Sequence, residues 1–321
     1  MKKISVIIGI VSLSIILVSL QIVQKKSKNS LFKIGVLQTA SHPALDRVCD
    51  GFVQELESRF NGKIECIIKN AEGSVAHAQT IATSLIADRD IDAFFSIATL
   101  ATQVMANKES QRPVLFSAVT DPHALGINNH SNVAGVSDMT DVNATVNLLK
   151  ELILTAKTVA LLFNTGEINS VVMTKALCLS LEQNDLQPIE IGITSESEIP
   201  TAITVACKKA DAIITPLDNI VALSIDMIAQ QALLQKKPLI VSDNLLVEHG
   251  AVAASGVDYK KVGKKSAEIM IDLLGQKKEP QEIGIVTVPS DQIVINEQIC
   301  DALDLVIPLS LKNAAIMIGE K

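Results

Sequence analysis

An α/β fold of two similar lobes, each carrying a parallel sheet, is what this sequence predicts. Three observations lead there. At 321 residues the chain is long for one ordinary domain and suits two. From Ser30 onward, short apolar or β-branched runs alternate with helical patterns, as in parallel sheets covered by helices on both faces. The first four strand runs also recur in the second half, at near-constant offsets of 126, 124, 119 and 125 residues.

Taken in order, Phe32–Leu37 is a continuous apolar run of buried-strand type, and the helix after it places Leu45, Val48, Phe52 and Leu56 on one face. Ile64–Ile68 is the second strand, followed by a helix over Val75–Ala87. Ala93–Ile97, a helix from Thr99 to Asn107 and Pro113–Ala118 complete the first series. The second series is Val159–Phe163, Pro188–Ile193, Ala212–Thr215 and Pro238–Ser242. A tail adds a strand at Ala251–Val257, an amphipathic helix from Tyr259 to Leu274, short runs at Ile285–Val288 and Ile293–Asn296, and a last short helix. These pieces are too few for a third domain. They are expected to complete the two lobes, with 31–138 plus 252–284 in the first and 139–251 plus 285–321 in the second. The chain then crosses between lobes more than once, through a hinge of several strands beside a cleft.

Composition removes several classes of function. The net charge is −7 and basic runs are confined to the extreme N-terminus, which argues against nucleic acid as a partner. Aromatics make up 2% with no Trp, so base-stacking platforms are not expected either. The five cysteines are scattered and never spaced as CxxC, and the five histidines show no metal spacing, so neither a metal site nor a disulfide scaffold is expected. No nucleophile elbow, phosphate-binding loop or zinc-protease motif occurs, and no glycine-rich fingerprint follows the first strand. No cofactor is expected, and the chain reads as a non-enzyme.

The first thirty residues form a separate unit. Lys2 and Lys3 precede an uncharged run of twenty residues, Ile4–Val23, closed by Lys25, Lys26 and Lys28. The run exceeds the usual ~7–15 apolar residues of a cleavable signal and lacks a small-x-small end. It reads as an uncleaved anchor, with an atypical signal peptide as the alternative. Either places the rest of the chain outside the cytoplasm, in the periplasm or on the outer face of the cytoplasmic membrane.

In open parallel sheets, ligands sit beyond the carboxyl ends of the strands, so the polar loops there supply the candidates. The first lobe offers Gln38, Thr99, Thr120 and Asp121; the second offers Gly166, Asn169, Ser170, Asp218, Asn219 and Asp243. Each has a plain structural alternative: Asn169, Ser170, Asp218 and Asn219 are natural helix caps, Thr99 also opens a helix, and Asp121-Pro122 is a turn signature. Asp243 has no obvious helix to cap at once. His42 with Asp46 reads as a structural pair at a helix start.

Several of these segments resemble a known family. Ile34-Gly35-Val36-Leu37-Gln38 with His42-Pro43-Ala44-Leu45-Asp46, Pro113 to Pro122, Gly135-Val136-Ser137-Asp138, Gly166 to Ser170, Pro216-Leu217-Asp218-Asn219 and Gly256-Val257-Asp258-Tyr259 occur in the order found in solute-binding proteins of ABC importers. They are similar to the group associated with tryptophan and tyrosine transport, and the resemblance spans Phe32–Leu305. It implies a type I periplasmic-binding fold, a three-stranded hinge, a ligand clamped between lobes, and a membrane permease with its ATPase as partners. For a zwitterionic amino acid, the turn at Gly166–Ser170 is expected to receive the carboxylate and Asp218 or Asp243 the ammonium. Gln38, Thr99 and Thr120 close from the other lobe. An extracytoplasmic sensor that signals to a membrane partner is the alternative reading.

Overall fold

In the computed structural model, residues 31–275, 278–290 and 292–319 are described. The expected anchor or signal at residues 4–23 lies outside them. Among the described residues no helix is long and apolar enough to cross a membrane.

The first lobe is a six-stranded sheet of β1 (Phe32–Gln38), β2 (Ile64–Asn70), β3 (Ala93–Ile97), β4 (Val114–Ser117), β5 (Val133–Ser137) and β11 (Ile285–Thr287), in the order β11-β5-β4-β3-β1-β2, all parallel. The second is seven-stranded: β6 (Thr158–Asn164), β7 (Gln187–Ile193), β8 (Ala212–Thr215), β9 (Leu239–Val241), β10 (Ala253–Gly256), β12 (Gln292–Asn296) and β13 (Ile316–Ile318). Its order is β13-β12-β10-β9-β8-β6-β7, with β10–β12 antiparallel. Counted within each lobe, the first five strands run 2-1-3-4-5 in both sheets, a doubly wound order. The duplication therefore extends to a fifth strand: β10, expected as a tail strand at Ala251–Val257, and β5, which the sequence pattern did not single out.

Helices cover both faces. In the first lobe, α1 (Pro43–Phe60) starts with proline at its first position, where the missing N–H costs nothing. It buries Leu45, Val48, Phe52 and Leu56, the expected face, and Phe52 stacks on Phe95 of β3. Helix α2 (Val75–Ala87) is capped by Ser74, and α3 (Thr99–Lys108) follows β3. The second lobe carries α4 (Val142–Leu152), α5 (Ile168–Gln183), α6 (Ile199–Lys209), α7 (Asn219–Leu223) and α8 (Ile225–Leu234). Then α9 (Tyr259–Gly275) returns to pack on α1, followed by the single turn α10 (Pro280–Ile283) and, near the end, α11 (Glu297–Ala302) and α12 (Leu309–Ala314). The expected last short helix is thus two helices followed by an edge strand. The five cysteines are free.

The chain passes between sheets three times: after β5, after β10 and between β11 and β12. Two tail strands pair differently from the expected 252–284 and 285–321 division. β10 joins the second sheet through β9 and β12, whereas β11 pairs with β5 in the first. The physical reason is register: Ile285–Thr287 continues the ladder beside Gly135–Ser137, an edge left open by β5.

Candidate ligand-binding cleft

A small cavity of about 30 Å³ lies between the lobes, against the carboxyl ends of strands from both sheets. The first lobe contributes His42, Leu45, Ala98, Thr99, Ala118, Thr120 and Asp138; the second contributes Asn169, Leu217, Asp218, Asn219, Asp243 and Leu246, with Tyr259 at the return crossing. A wider chamber of about 220 Å³ adjoins it toward solvent, lined by Thr39, Gln103, Gly166, Glu167 and Ile168 among others, and shares Thr99, Asn169 and Asn219.

Two alanines shape the first-lobe wall. Ala98 (φ 71) and Ala118 (φ 54) follow the ends of adjacent strands β3 and β4 in the left-handed region. Each such residue costs about 1–3 kcal/mol, and this kind of strain collects at functional sites. Ala98 leads directly into α3, whose first turn at Thr99 meets the cavity. The leading N–H groups of a helix have no partners within it and carry partial positive charge.

Three carboxyl groups reach the inner cavity and differ in what holds them. Asp218 caps α7: Val221 N donates to Oδ1 at 2.9 Å, while Asn164 N (2.6 Å) and the Ser170 hydroxyl donate to Oδ2. Burial, then the charge of Glu167, pushes this carboxyl up to about 7 despite those donors. Asp138, at the end of β5, accepts from the Thr120 hydroxyl at 3.1 Å and the Tyr259 hydroxyl at 3.3 Å, and burial pushes it up to about 6. Asp243 caps the 3-10 turn Asn244–His249 that the sequence did not reveal, accepting from Leu245 N at 2.9 Å. Among the described residues that is the one hydrogen bond its carboxyl accepts. Burial first, and Asp138 in addition, pushes Asp243 up to about 7. Asp138 and Asp243 are each 4% exposed, and neither lysine nor arginine lines the cavity.

One hydrogen bond crosses the cleft. Asn219 gives its amide N–H to Glu167 at 2.6 Å, which turns its oxygen toward His42 Nε2 at 3.2 Å. His42 Nε2 is therefore the donor. Its Nδ1 is buried with no partner among the described residues, and burial lowers the pKa of the ring. Asp46, the expected partner of His42, instead accepts from Gln38 and Ser41.

The expected site residues thus fall into three groups. Thr99, Thr120, Asn169, Asp218, Asn219 and Asp243 line the inner cavity, and Gly166 lines the outer chamber. Ser170 lies behind the wall with its hydroxyl on Asp218; Asn169 spends its amide on Leu217 O and Glu167; Gly166 N is taken by Asn164 Oδ1. The Gly166–Ser170 turn therefore uses these donors internally. Gln38 is tied to Ala40 O and Asp46, and Asp121 holds its own turn through His123 N and Ala124 N; neither lines the cavity. Asp138 and Tyr259 are cavity residues that the loop-by-loop reading passed over, and His42, read there as a structural pair with Asp46, lines the cavity as well.

The family described as ABC transporter substrate binding protein matches residues 33–317. A tyrosine-binding protein of Clostridioides difficile is 32% identical over 289 residues, which cover 88% of this chain and 82% of the relative. A Streptococcus pneumoniae ABC domain solved in complex with L-Trp is 29% identical, with a TM-score of 0.86 over 90% of this chain and 100% of the other. The ligand-free, open structure of a substrate-binding protein with adhesive properties from Clostridium difficile is 33% identical, with a TM-score of 0.68 over 91% of this chain and 100% of the other. Two doubly wound lobes joined by three crossings, a polar cavity at their strand ends and a match along nearly the whole described chain lead to one conclusion: the chain belongs to the ABC transporter substrate-binding protein family and has its type I periplasmic-binding fold.

Proposed function

We propose that this protein is the extracytoplasmic receptor of an ABC importer, binding a free amino acid of the tryptophan and tyrosine class and delivering it to a membrane permease with its ATPase. The observation that carries this reading is the charge of the inner cavity. Carboxyls from both lobes meet there with no lysine or arginine in the lining, which favours a ligand bearing an ammonium and disfavours phosphates and simple carboxylates. The ammonium sits between Asp138 and Asp243, and the first turn of α3 at Thr99 receives the carboxylate. Leu45, Leu217 and Leu246 flank the side chain. This assignment keeps Asp243, Thr99 and Thr120 from the expected set and moves the carboxylate away from Gly166–Ser170, where Gly166 N and the Asn169 and Ser170 side chains already have partners.

The relatives support the ligand class, one being a tyrosine-binding protein and another solved with L-Trp. The higher TM-score to the L-Trp complex than to the open, ligand-free structure supports a closed arrangement of the lobes here, as does the His42–Asn219 bridge. Closure is then a hinge motion through the three crossings.

Binding is tested directly by calorimetry with a panel of amino acids. The chain has no Trp, so indole emission reports added tryptophan alone. Saturable binding of L-tryptophan or L-tyrosine is the expected result; no binding of any amino acid overturns the ligand class. Loss of uptake on deleting the gene, restored by the intact chain, tests the transport role.

A further inference from the structure

We propose that Asp138 and Asp243 form a carboxyl pair across the cleft that holds a proton when the cleft is closed and empty, and releases it when a ligand ammonium enters. The inference rests on the amino-acid reading above and adds its regulation: binding exchanges a proton for the ligand's positive charge.

The geometry is that of opposed acids brought together by closure. Asp138 ends β5 in the first lobe and Asp243 follows β9 in the second; both line one cavity and both are buried. They are close enough that the charge of Asp138 disfavours ionisation of Asp243, and Tyr259 feels both. Two buried like charges without a counter-ion are costly, and such a pair ordinarily keeps a proton. The donors present fall short of satisfying two carboxylates: hydroxyls from Thr120 and Tyr259 reach Asp138, and one amide reaches Asp243. An ammonium brings three N–H donors and one positive charge, which fits what the pair lacks.

The exchange balances. The empty pair carries one proton; the incoming R–NH₃⁺ keeps all of its own; the carboxyl proton leaves to solvent as the carboxylate accepts an ammonium N–H. At the carboxyl pair the charge is the same before and after, because the ammonium replaces the proton; the ligand's own carboxylate adds one negative charge at the first turn of α3. The titratable neighbours are Tyr259 from the start of α9, His249 at the end of the 3-10 turn after Asp243, and His42 and Asp218 on the cavity wall, with Glu167 behind Asp218. Of these, protonated His249 opposes proton retention on Asp243, but it is paired with Asp226 at 2.7 Å, which offsets its charge. Burial is the largest influence on both acids, holding Asp138 at about 6 and Asp243 at about 7, so the exchange falls within an accessible pH range.

The test is calorimetry of the intact protein with L-tryptophan and L-tyrosine, in buffers of different ionisation enthalpy, from about pH 5.5 to about pH 8.5. Release of about one proton per ligand is expected near pH 6, declining to almost none near pH 8.5, with affinity weakening up to ~10-fold per pH unit on the acid side. Asp243→Asn, which removes the acid that holds the proton more tightly, should abolish most of the release near pH 7 while the protein stays folded by circular dichroism. If either amino acid binds with no proton release and a flat pH profile, the exchange is wrong and the amino-acid reading stands. If neither binds at any pH, the reading itself fails and the exchange falls with it.

Discussion

Asp243→Asn should stabilise the ligand-free protein at alkaline pH while removing its hold on an ammonium. Asp243 is 4% exposed, and burial, reinforced by Asp138, pushes its carboxyl up to about 7 from 3.8. A carboxyl whose folded-state pKa lies above the unfolded value is easier to protonate in the fold than in the unfolded chain. Its ionisation therefore costs nothing below about pH 4, costs progressively more as pH rises toward 7, and costs the full amount above that. At ~1.4 kcal/mol per pH unit of displacement, the cost reaches at most ~4 kcal/mol. The amide keeps an oxygen for Leu245 N and presents an N–H where a carboxylate stood near Asp138. Urea unfolding of the ligand-free wild type and variant at pH 5 and pH 8 reads the effect. The variant should unfold at higher urea at pH 8, by an amount that shrinks toward pH 5. A variant no more stable than wild type at pH 8, or a gain independent of pH, would refute the idea that this carboxyl is held ionised at a cost.

Three further substitutions test the frame around the cleft. Asn219→Ala removes the bridge to His42 and should weaken L-tryptophan binding by up to ~10-fold, since one neutral hydrogen bond is worth about 0.5–1.5 kcal/mol. Stopped-flow mixing should show the loss mainly as faster dissociation. Gly263→Ala places a Cβ against the Val48 carbonyl oxygen and 2.9 Å from Phe52 N, where α9 crosses α1. Because the obstacle is helix backbone, the first lobe should lose ~1–3 kcal/mol, read as a lower midpoint in thermal melts; an unchanged midpoint would mean that the helices separate freely. Arg112→Ala strips the guanidinium that binds Glu109 and the carbonyls of Ile86, Asp88 and Ile91. Glu109 is 5% exposed, so breaking this pair should cost ~3–5 kcal/mol, and urea unfolding of the first lobe well before the second is the expected result.

The strands that show plainly in the sequence are those whose apolar side chains face helices on both sides, such as Phe32–Gln38 and Thr158–Asn164. β5 is harder to see because Val133–Ser137 is short and centred on Gly135. That glycine is required by packing, since a Cβ there would collide with the Phe116 carbonyl oxygen and ring. Missing β5 hid Asp138 as well, because the rule that ligands lie beyond strand ends can be applied only to strands already recognised. The same rule singled out Thr99, Thr120, Asn169, Asp218, Asn219 and Asp243, all of which line the inner cavity. What it could not show is which of them have donors to spare. Asn219 meets His42 across 177 positions in the chain, and Ser170 meets Asp218 across 48. Neither separation leaves a local pattern. The exchange of β10 and β11 between sheets is of the same kind, decided by which edge each strand meets.

Among the buried acids of the cleft, donor count separates a structural role from a binding role better than burial does. Asp218 and Asp243 are both pushed up to about 7, chiefly by burial. Asp218 nevertheless accepts from Asn164 N, Ser170 and Val221 N, all within its own lobe. It fixes the start of α7, and so the position of Asn219. Asp243 has one such donor, and Asp138 relies on two hydroxyls. A carboxylate with unfilled acceptor sites is poorly stabilised in an empty closed cleft and much better stabilised beside an ammonium. Because the two under-supplied acids stand on opposite lobes, closure without a cation brings together charges that repel, whereas closure on a cation turns both toward one partner. Under the proposed ammonium assignment, the free-energy difference between empty and occupied closure would come largely from Asp138 and Asp243, and Asp218 would belong to the scaffold that holds the wall in place.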